Sequence, residues 1–172
     1  GLFQGLKELR LRNWAKFPVD PKEIHAIILT HAHIDHSGYI PRIIKEGFNG
    51  RIICTPGTFD LCKILLPDCG HLQQEEATYA KKKGYSKHKD PLPLFSAEDA
   101  ERSLKYFETL KYEKEMEIVK GLTFKFINAG HILGAAQVIL SNGSKKIGFT
   151  GDLGRPNDPI MYPPEVPKGC DY

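Results

Sequence analysis

The run His31-Ala32-His33-Ile34-Asp35-His36 decides how this chain is read. Three of the seven histidines fall within these six residues. The stretch before it, Ile24-His25-Ala26-Ile27-Ile28-Leu29-Thr30, is apolar and β-branched, which predicts a buried strand. His31 and His33 stand two apart at the end of that strand, so extended geometry would send both side chains the same way. Asp35 and His36 follow where the chain leaves the sheet and turns into a helix, ahead of Ser37-Gly38. Imidazoles and a carboxylate drawn from so little backbone suit zinc, and they also admit iron or manganese. The plain alternative is a polar loop of ordinary hydrogen-bonded histidines. The density of donors argues against it, although any motif carries a false-positive risk.

A metal site needs further ligands, and two similar settings occur downstream. His131 follows a predicted strand over 122–128, within Ala129-Gly130-His131-Ile132-Leu133-Gly134-Ala135-Ala136. Asp152 follows another over 145–150, within Thr150-Gly151-Asp152-Leu153-Gly154-Arg155. Flanking glycines allow close backbone approach. Alone, Asp152 would be read as a turn residue. Three strand ends carrying ligand-type residues are most economically explained by one common sheet edge.

Around these points the pattern is mixed α and β. Residues 1–23 read as irregular, with a short helix near 6–14. A helix is predicted over 37–46, a strand over 51–55, and helices over 56–66 and 68–83. The stretch 85–95 is basic and proline-containing, hence a loop. Ser96-Ala97-Glu98-Asp99 has the form of a capping box, with Asp99 at the position usually held by Glu or Gln, and the helix behind it is expected to reach Leu110. Strands are predicted over 115–119, 122–128, 137–140 and 145–150. Asn142-Gly143 marks a hairpin between the last two.

A chain of 172 residues amounts to about one domain. With 41% hydrophobic and 26% charged residues, the composition is that of a globular domain. Its net charge of +3 is too weak to imply a nucleic-acid partner. No apolar run approaches bilayer length, and no signal peptide opens the chain. Cys54, Cys62, Cys69 and Cys170 show no CxxC spacing, so a reduced, cytoplasmic protein is the simplest expectation. Gly1 in place of Met, and an abrupt end after Pro163–Tyr172, read as a fragment.

Thr30 to Gly38 resembles the THxHxDHxG signature of the metallo-β-lactamase superfamily. Gly130 to Ala136 (GHILGAA) and Thr150 to Arg155 (TGDLGR) resemble its β-CASP branch of RNA-processing nucleases, which includes ribonuclease J and the endonuclease of the cleavage and polyadenylation machinery. The resemblance covers nearly the whole chain, loosely over 58–118. It implies an α/β, metallo-β-lactamase αββα sandwich, present here as a partial domain over 1–172 and incomplete at both ends. It also implies two zinc ions, with manganese or iron as substitutes. Residue by residue, it makes His31, His33 and His131 ligands of one metal, gives Asp35 and His36 to the other, and has Asp152 bridge both. The family's last metal ligand and leaving-group acid would lie outside this chain.

Two metals about 3.5–4 Å apart would share a hydroxide and stabilise an in-line displacement. The implied activity is RNA phosphodiester hydrolysis, endonucleolytic, exonucleolytic or both. Asp35 would also orient the nucleophile. RNA is the implied partner and a membrane is not, while a homo-oligomer stays open. Two other functions remain: a small-molecule metallo-hydrolase acting on a thioester, lactone or β-lactam, and a catalytically silent RNA-binding subunit.

Other residues carry weaker signals. Arg155 could contact phosphate or be an ordinary surface arginine. Lys81-Lys82-Lys83 with Lys87, His88 and Lys89 could meet an RNA backbone, but a solvated helix end is favoured. His71 is expected at the surface or as a cap near a helix start, and His25 as structural. Trp14 and Phe124 read as core.

Overall fold

The computed structural model describes residues 1–84 and 90–172. The chain forms two units: Gly1–Ile24, His33–Asn49 and Cys62–Lys105 make the first, and His25–Ala32, Gly50–Leu61 and Tyr106–Tyr172 the second. Lys87, His88 and Lys89 lie outside the described residues.

The second unit holds both sheets. Strands β1 (Ala26–Ile28), β2 (Arg51–Cys54) and β3 (Phe107–Thr109) form a parallel sheet in that order. Strands β4 (Glu115–Val119), β5 (Leu122–Asn128), β6 (Ala136–Ser141) and β7 (Lys146–Phe149) form an antiparallel meander. Strand β5 explains how the two sheets share a core. Its alternation buries Phe124 and Phe126 on one face, while Lys125 between them pairs with Glu113. Phe124 and Phe126 join Ile53 of β2 and Ala136 and Val138 of β6 in one buried cluster, flanked by Ile28, Tyr112 and Met116. The β6–β7 turn forms at Asn142-Gly143 as expected. Gly143 takes φ +87, and the Asn142 side chain accepts hydrogen bonds from the Ser144 and Lys145 amides.

Strand β3 replaces the end of the helix expected to reach Leu110. That helix, Ala97–Ser103, passes through a 3₁₀ turn at Leu104–Tyr106. Phe107 to Thr109 then pair with Ile52 to Cys54, and the Cys54 carbonyl accepts from the Leu110 amide at 2.9 Å. Phe107 also stacks on Phe59, with centroids 5.4 Å apart. Pairing with a distant strand outweighs local helix preference here.

In the first unit, short helices span Lys7–Leu11, Ile34–Ser37 and Ile40–Lys45. The two helices predicted over 56–83 are one, Pro56–Lys83, with Pro67 inside it. A proline there removes one backbone hydrogen bond, yet tertiary contacts keep the helix continuous. Leu66 is fully buried, Gly70 lies against the Ser96–Ala97 backbone, and the Gln73 and Gln74 side chains accept from the Leu94 and Ala97 amides. His71 therefore sits in mid-helix rather than near its start, 65% exposed and 3.5 Å from Glu75. Lys81, Lys82 and Lys83 are exposed at the helix end, as the solvated reading expected. Trp14 departs from expectation: it is 37% exposed and is not core. His25 is exposed just before β1.

The capping box at Ser96 forms completely, and Asp99 does more than close it. Its carboxylate accepts from the Ser96 amide and from Lys45 at 3.0 Å, and it also pairs with Arg102. Burial pushes the Asp99 carboxyl up, but the Ser96 amide, Lys45 and Arg102 outweigh it and hold the group well below the usual carboxylate range. A depressed folded-state value stabilises the fold above the unfolded-state value of about 3.9 and loses that contribution as pH falls below it. Asp99→Asn is therefore expected to cost about 2 kcal/mol at pH 7 and distinctly less at pH 3. Urea unfolding of the two proteins at both pH values measures the difference, and an equal cost at both contradicts the assignment.

Candidate metal centre

The centre is assembled where β1, β5 and β7 hand over to loops. After β1, the Leu29 amide still donates to Ile53 of β2 at 2.9 Å, and the Thr30 carbonyl accepts from Ala136 at 2.8 Å. These bonds tie down the chain just before His31, which is 1% exposed. Thr30 Oγ1 lies 3.1 Å from His31 Nδ1, leaving Nε2 as the nitrogen that faces the centre. His33 caps the Ile34–Ser37 helix with extended backbone, and its carbonyl accepts from the His36 and Ser37 amides.

His131 enters from the loop after β5 and Asp152 from the loop after β7. Glycines bring these loops together. A Cβ on Gly154 would lie 1.6 Å from the Gly130 carbonyl oxygen, and one on Gly151 would lie 2.9 Å from Thr30 Cβ. The Gly154 amide donates to the Ala129 carbonyl at 2.9 Å. Gly130 and Gly151 also take positive φ, +65 and +56.

In consequence Asp152 Oδ2 is 3.7 Å from His31 Nε2 and 3.6 Å from His131 Nε2. The two imidazoles meet edge to face, with centroids 5.2 Å apart. One donor atom each from His31, His33, His131 and Asp152 lies within 4.8 Å of all the others. Two ligands of one tetrahedral zinc, each bound at about 2.0–2.1 Å, sit about 3.4 Å apart. The spacings of Asp152 are close to that value and too long for direct hydrogen bonds. Three imidazoles and a carboxylate converging in this way fit a divalent transition metal.

Four of the six ligand candidates from the sequence thus come together. Asp35 and His36 lie against each other, Oδ2 to Nε2 at 3.5 Å, with side chains 50% and 30% exposed. Arg155 is exposed. With the Met161 and Ile160 amides, it helps hold the Asp158 carboxyl below its ordinary value. Sequence reasoning gave Thr30 no role of its own. The signal for one was its place directly before His31.

The model for the metallo-beta-lactamase superfamily matches residues 5–172, and the chain belongs to that superfamily. Among curated relatives, it is 33% identical over 171 residues to Ribonuclease TTHA0252 of Thermus thermophilus, covering 99% of this chain and 35% of that protein. It is 35% identical over 135 residues to an RNase J-like protein of Methanocaldococcus jannaschii, covering 78% of this chain and 27% of the relative. Against Cleavage and polyadenylation specificity factor subunit 3-I of Arabidopsis thaliana, identity is 32% over 151 residues, covering 87% and 20%. The chain therefore spans only a minor part of each relative's length. Among solved structures, a metallo-beta-lactamase from Cronobacter sakazakii superimposes with a TM-score of 0.50 at 19% identity, covering 85% of this chain and 46% of that one. That likeness concerns the fold.

Proposed function

We propose that residues 1–172 are part of the metallo-β-lactamase domain of a β-CASP-type RNA phosphodiesterase. The observation that carries this reading is the convergence of His31, His33, His131 and Asp152 within 4.8 Å. The relationship to a ribonuclease and to a cleavage and polyadenylation factor supports RNA as the substrate. On this reading His31, His33 and His131 would hold one zinc ion, Asp35 and His36 would hold a second, and Asp152 would be a ligand of both. Metal ions held there supply an acidified water and neutralise charge on the non-bridging phosphate oxygens.

The chain's own groups do the positioning. Thr30 holds the His31 ring by its Nδ1, so the ring cannot turn its other nitrogen away. Asp35, half-exposed beside His36, would orient the attacking water by accepting a hydrogen bond from it while helping to hold the second metal. Arg155, exposed three residues beyond Asp152, meets the phosphate backbone. Cys54, Cys62, Cys69 and Cys170 are thiols rather than disulfides, which accords with a reducing, cytoplasmic compartment. Burial pushes the Cys62 thiol up to about 12, which leaves it inert.

The test is a substrate panel on the full-length protein with added zinc or manganese. Cleavage of single-stranded RNA, and no turnover of a thioester, a lactone or a β-lactam, is expected. Turnover of the small molecules without RNA cleavage overturns the substrate assignment. Absence of bound transition metal in the purified protein points instead to a silent RNA-binding role.

A further inference from the structure

The loop that carries His131 is held by a set of side chains outside the ligand group. Thr55 caps the helix Pro56–Lys83, its Oγ1 accepting from the Thr58 amide at 3.3 Å. The same hydroxyl donates to the Gly134 carbonyl at 2.5 Å. Thr58 Oγ1 donates to that carbonyl as well, at 2.9 Å. The next carbonyl, Ala135, accepts from Tyr112 Oη at 3.0 Å and from the Ala129 amide at 3.1 Å. Thr55 and Thr58 are both fully buried.

A helix cap accounts for only part of this. Capping uses Thr55 as an acceptor and makes no use of the Thr58 hydroxyl. Both hydroxyls instead lie within hydrogen-bond distance of one carbonyl and 3.1 Å from each other, so the Thr58 proton goes to the Gly134 oxygen and the Thr55 proton to that oxygen or to Thr58 Oγ1. Backbone shape agrees. Gly134 has φ +77, and a Cβ there would lie 2.1 Å from the Thr58 amide nitrogen. A Cβ on Gly57 would lie 3.0 Å from Gly134 Cα and N. The Gly130–Ala136 loop is thus pressed onto the first turn of the helix, and two buried hydroxyls lock it there.

We propose that Thr55 and Thr58 are positioning residues for His131: through the Gly134 carbonyl they hold the loop so that the imidazole meets Asp152. This rests on the reading of His131 as a metal ligand. Such supports to a ligand typically matter by 10–100-fold in metal affinity.

The experiment compares metal binding by the full-length protein and its variants, using zinc competition titration and the visible spectrum of the cobalt-substituted protein. Thr55→Val/Thr58→Val is expected to bind zinc on the order of 10–100-fold more weakly and to show an altered cobalt spectrum. RNA cleavage should lose kcat with little change in KM. Thr55→Ser/Thr58→Ser keeps both hydroxyls and is expected to restore all three readouts. If the double valine variant does not fold, Thr58→Val alone decides, because it leaves the Thr55 cap in place. A folded valine variant with unchanged zinc affinity and cobalt spectrum overturns the proposal. His131→Ala separates the two readings: unchanged zinc affinity there refutes His131 as a ligand. Loss in His131→Ala without loss in the valine variants refutes only the positioning role.

Discussion

Asp152→Ala is expected to empty the centre and to stop RNA hydrolysis while leaving the fold intact. Asp152 Oδ2 is the atom that faces both His31 and His131, at 3.7 and 3.6 Å. Without it, two imidazoles face each other edge on, with no negative charge to offset a dication. Loss of an outer support costs a metal site about 10–100-fold in affinity, and on the proposed reading of Asp152 as a ligand of both metals its loss should cost more than that. The Asp152 side chain is 44% exposed, so its removal opens no core cavity and the unfolding midpoint of the metal-free protein should hardly move. Elemental analysis after dialysis, circular dichroism and an RNA cleavage assay together read the result. Wild-type metal content and activity in the variant would remove Asp152 from the centre. Asp152→Asn keeps the shape and loses the charge, and should fall between the two.

Gly154→Ala should be almost as damaging although it removes no ligand. The added methyl would lie 1.6 Å from the Gly130 carbonyl oxygen, and its neighbours on that side are backbone atoms that cannot rotate away. Accepting it means separating the loops that carry His131 and Asp152, with loss of the Gly154 amide bond to Ala129. We expect destabilisation on the order of 3 kcal/mol and weaker metal binding, although every candidate ligand is still present. Gly121→Ala is the control. Gly121 also has positive φ, +81, but a Cβ there meets nothing within 4 Å. It should cost about 1–2 kcal/mol for the left-handed backbone and leave metal affinity unchanged. Equal metal affinity in Gly154→Ala and the wild type would show that loop contact does not set the centre.

Much of the fold was legible because its signals are local. Phe124 and Phe126 stand two apart around Lys125 in the run Leu122–Asn128, so β5 was legible as a strand from its own residues. The Asn142-Gly143 turn uses its own residues: Gly143 takes positive φ, and the Asn142 side chain accepts from the Ser144 and Lys145 amides. Ser96 and Asp99 cap each other within one helical turn. Failures came where distant partners decide. Phe107–Thr109 is a strand because β2 offers a free edge, and Pro67 stays helical because Gly70, Gln73 and Gln74 anchor the helix. Trp14 is aromatic in a segment that leaves it part-exposed, and composition cannot report that.

The centre divides in the same way. Its donor atoms were readable from His31, His33, His131 and Asp152, because ligand chemistry belongs to a side chain wherever it sits. Their geometry was not. His31, His131 and Asp152 are separated by up to 121 residues in the numbering, and their approach depends on strand pairing and on glycines that allow two backbones to touch. The two hydroxyls beneath the His131 loop belong to neither a motif nor a period. Thr55 and Thr58 look like an ordinary helix start until Gly134, 76 residues further on, is seen to rest on them, since a hydrogen bond across that distance leaves no mark in local sequence.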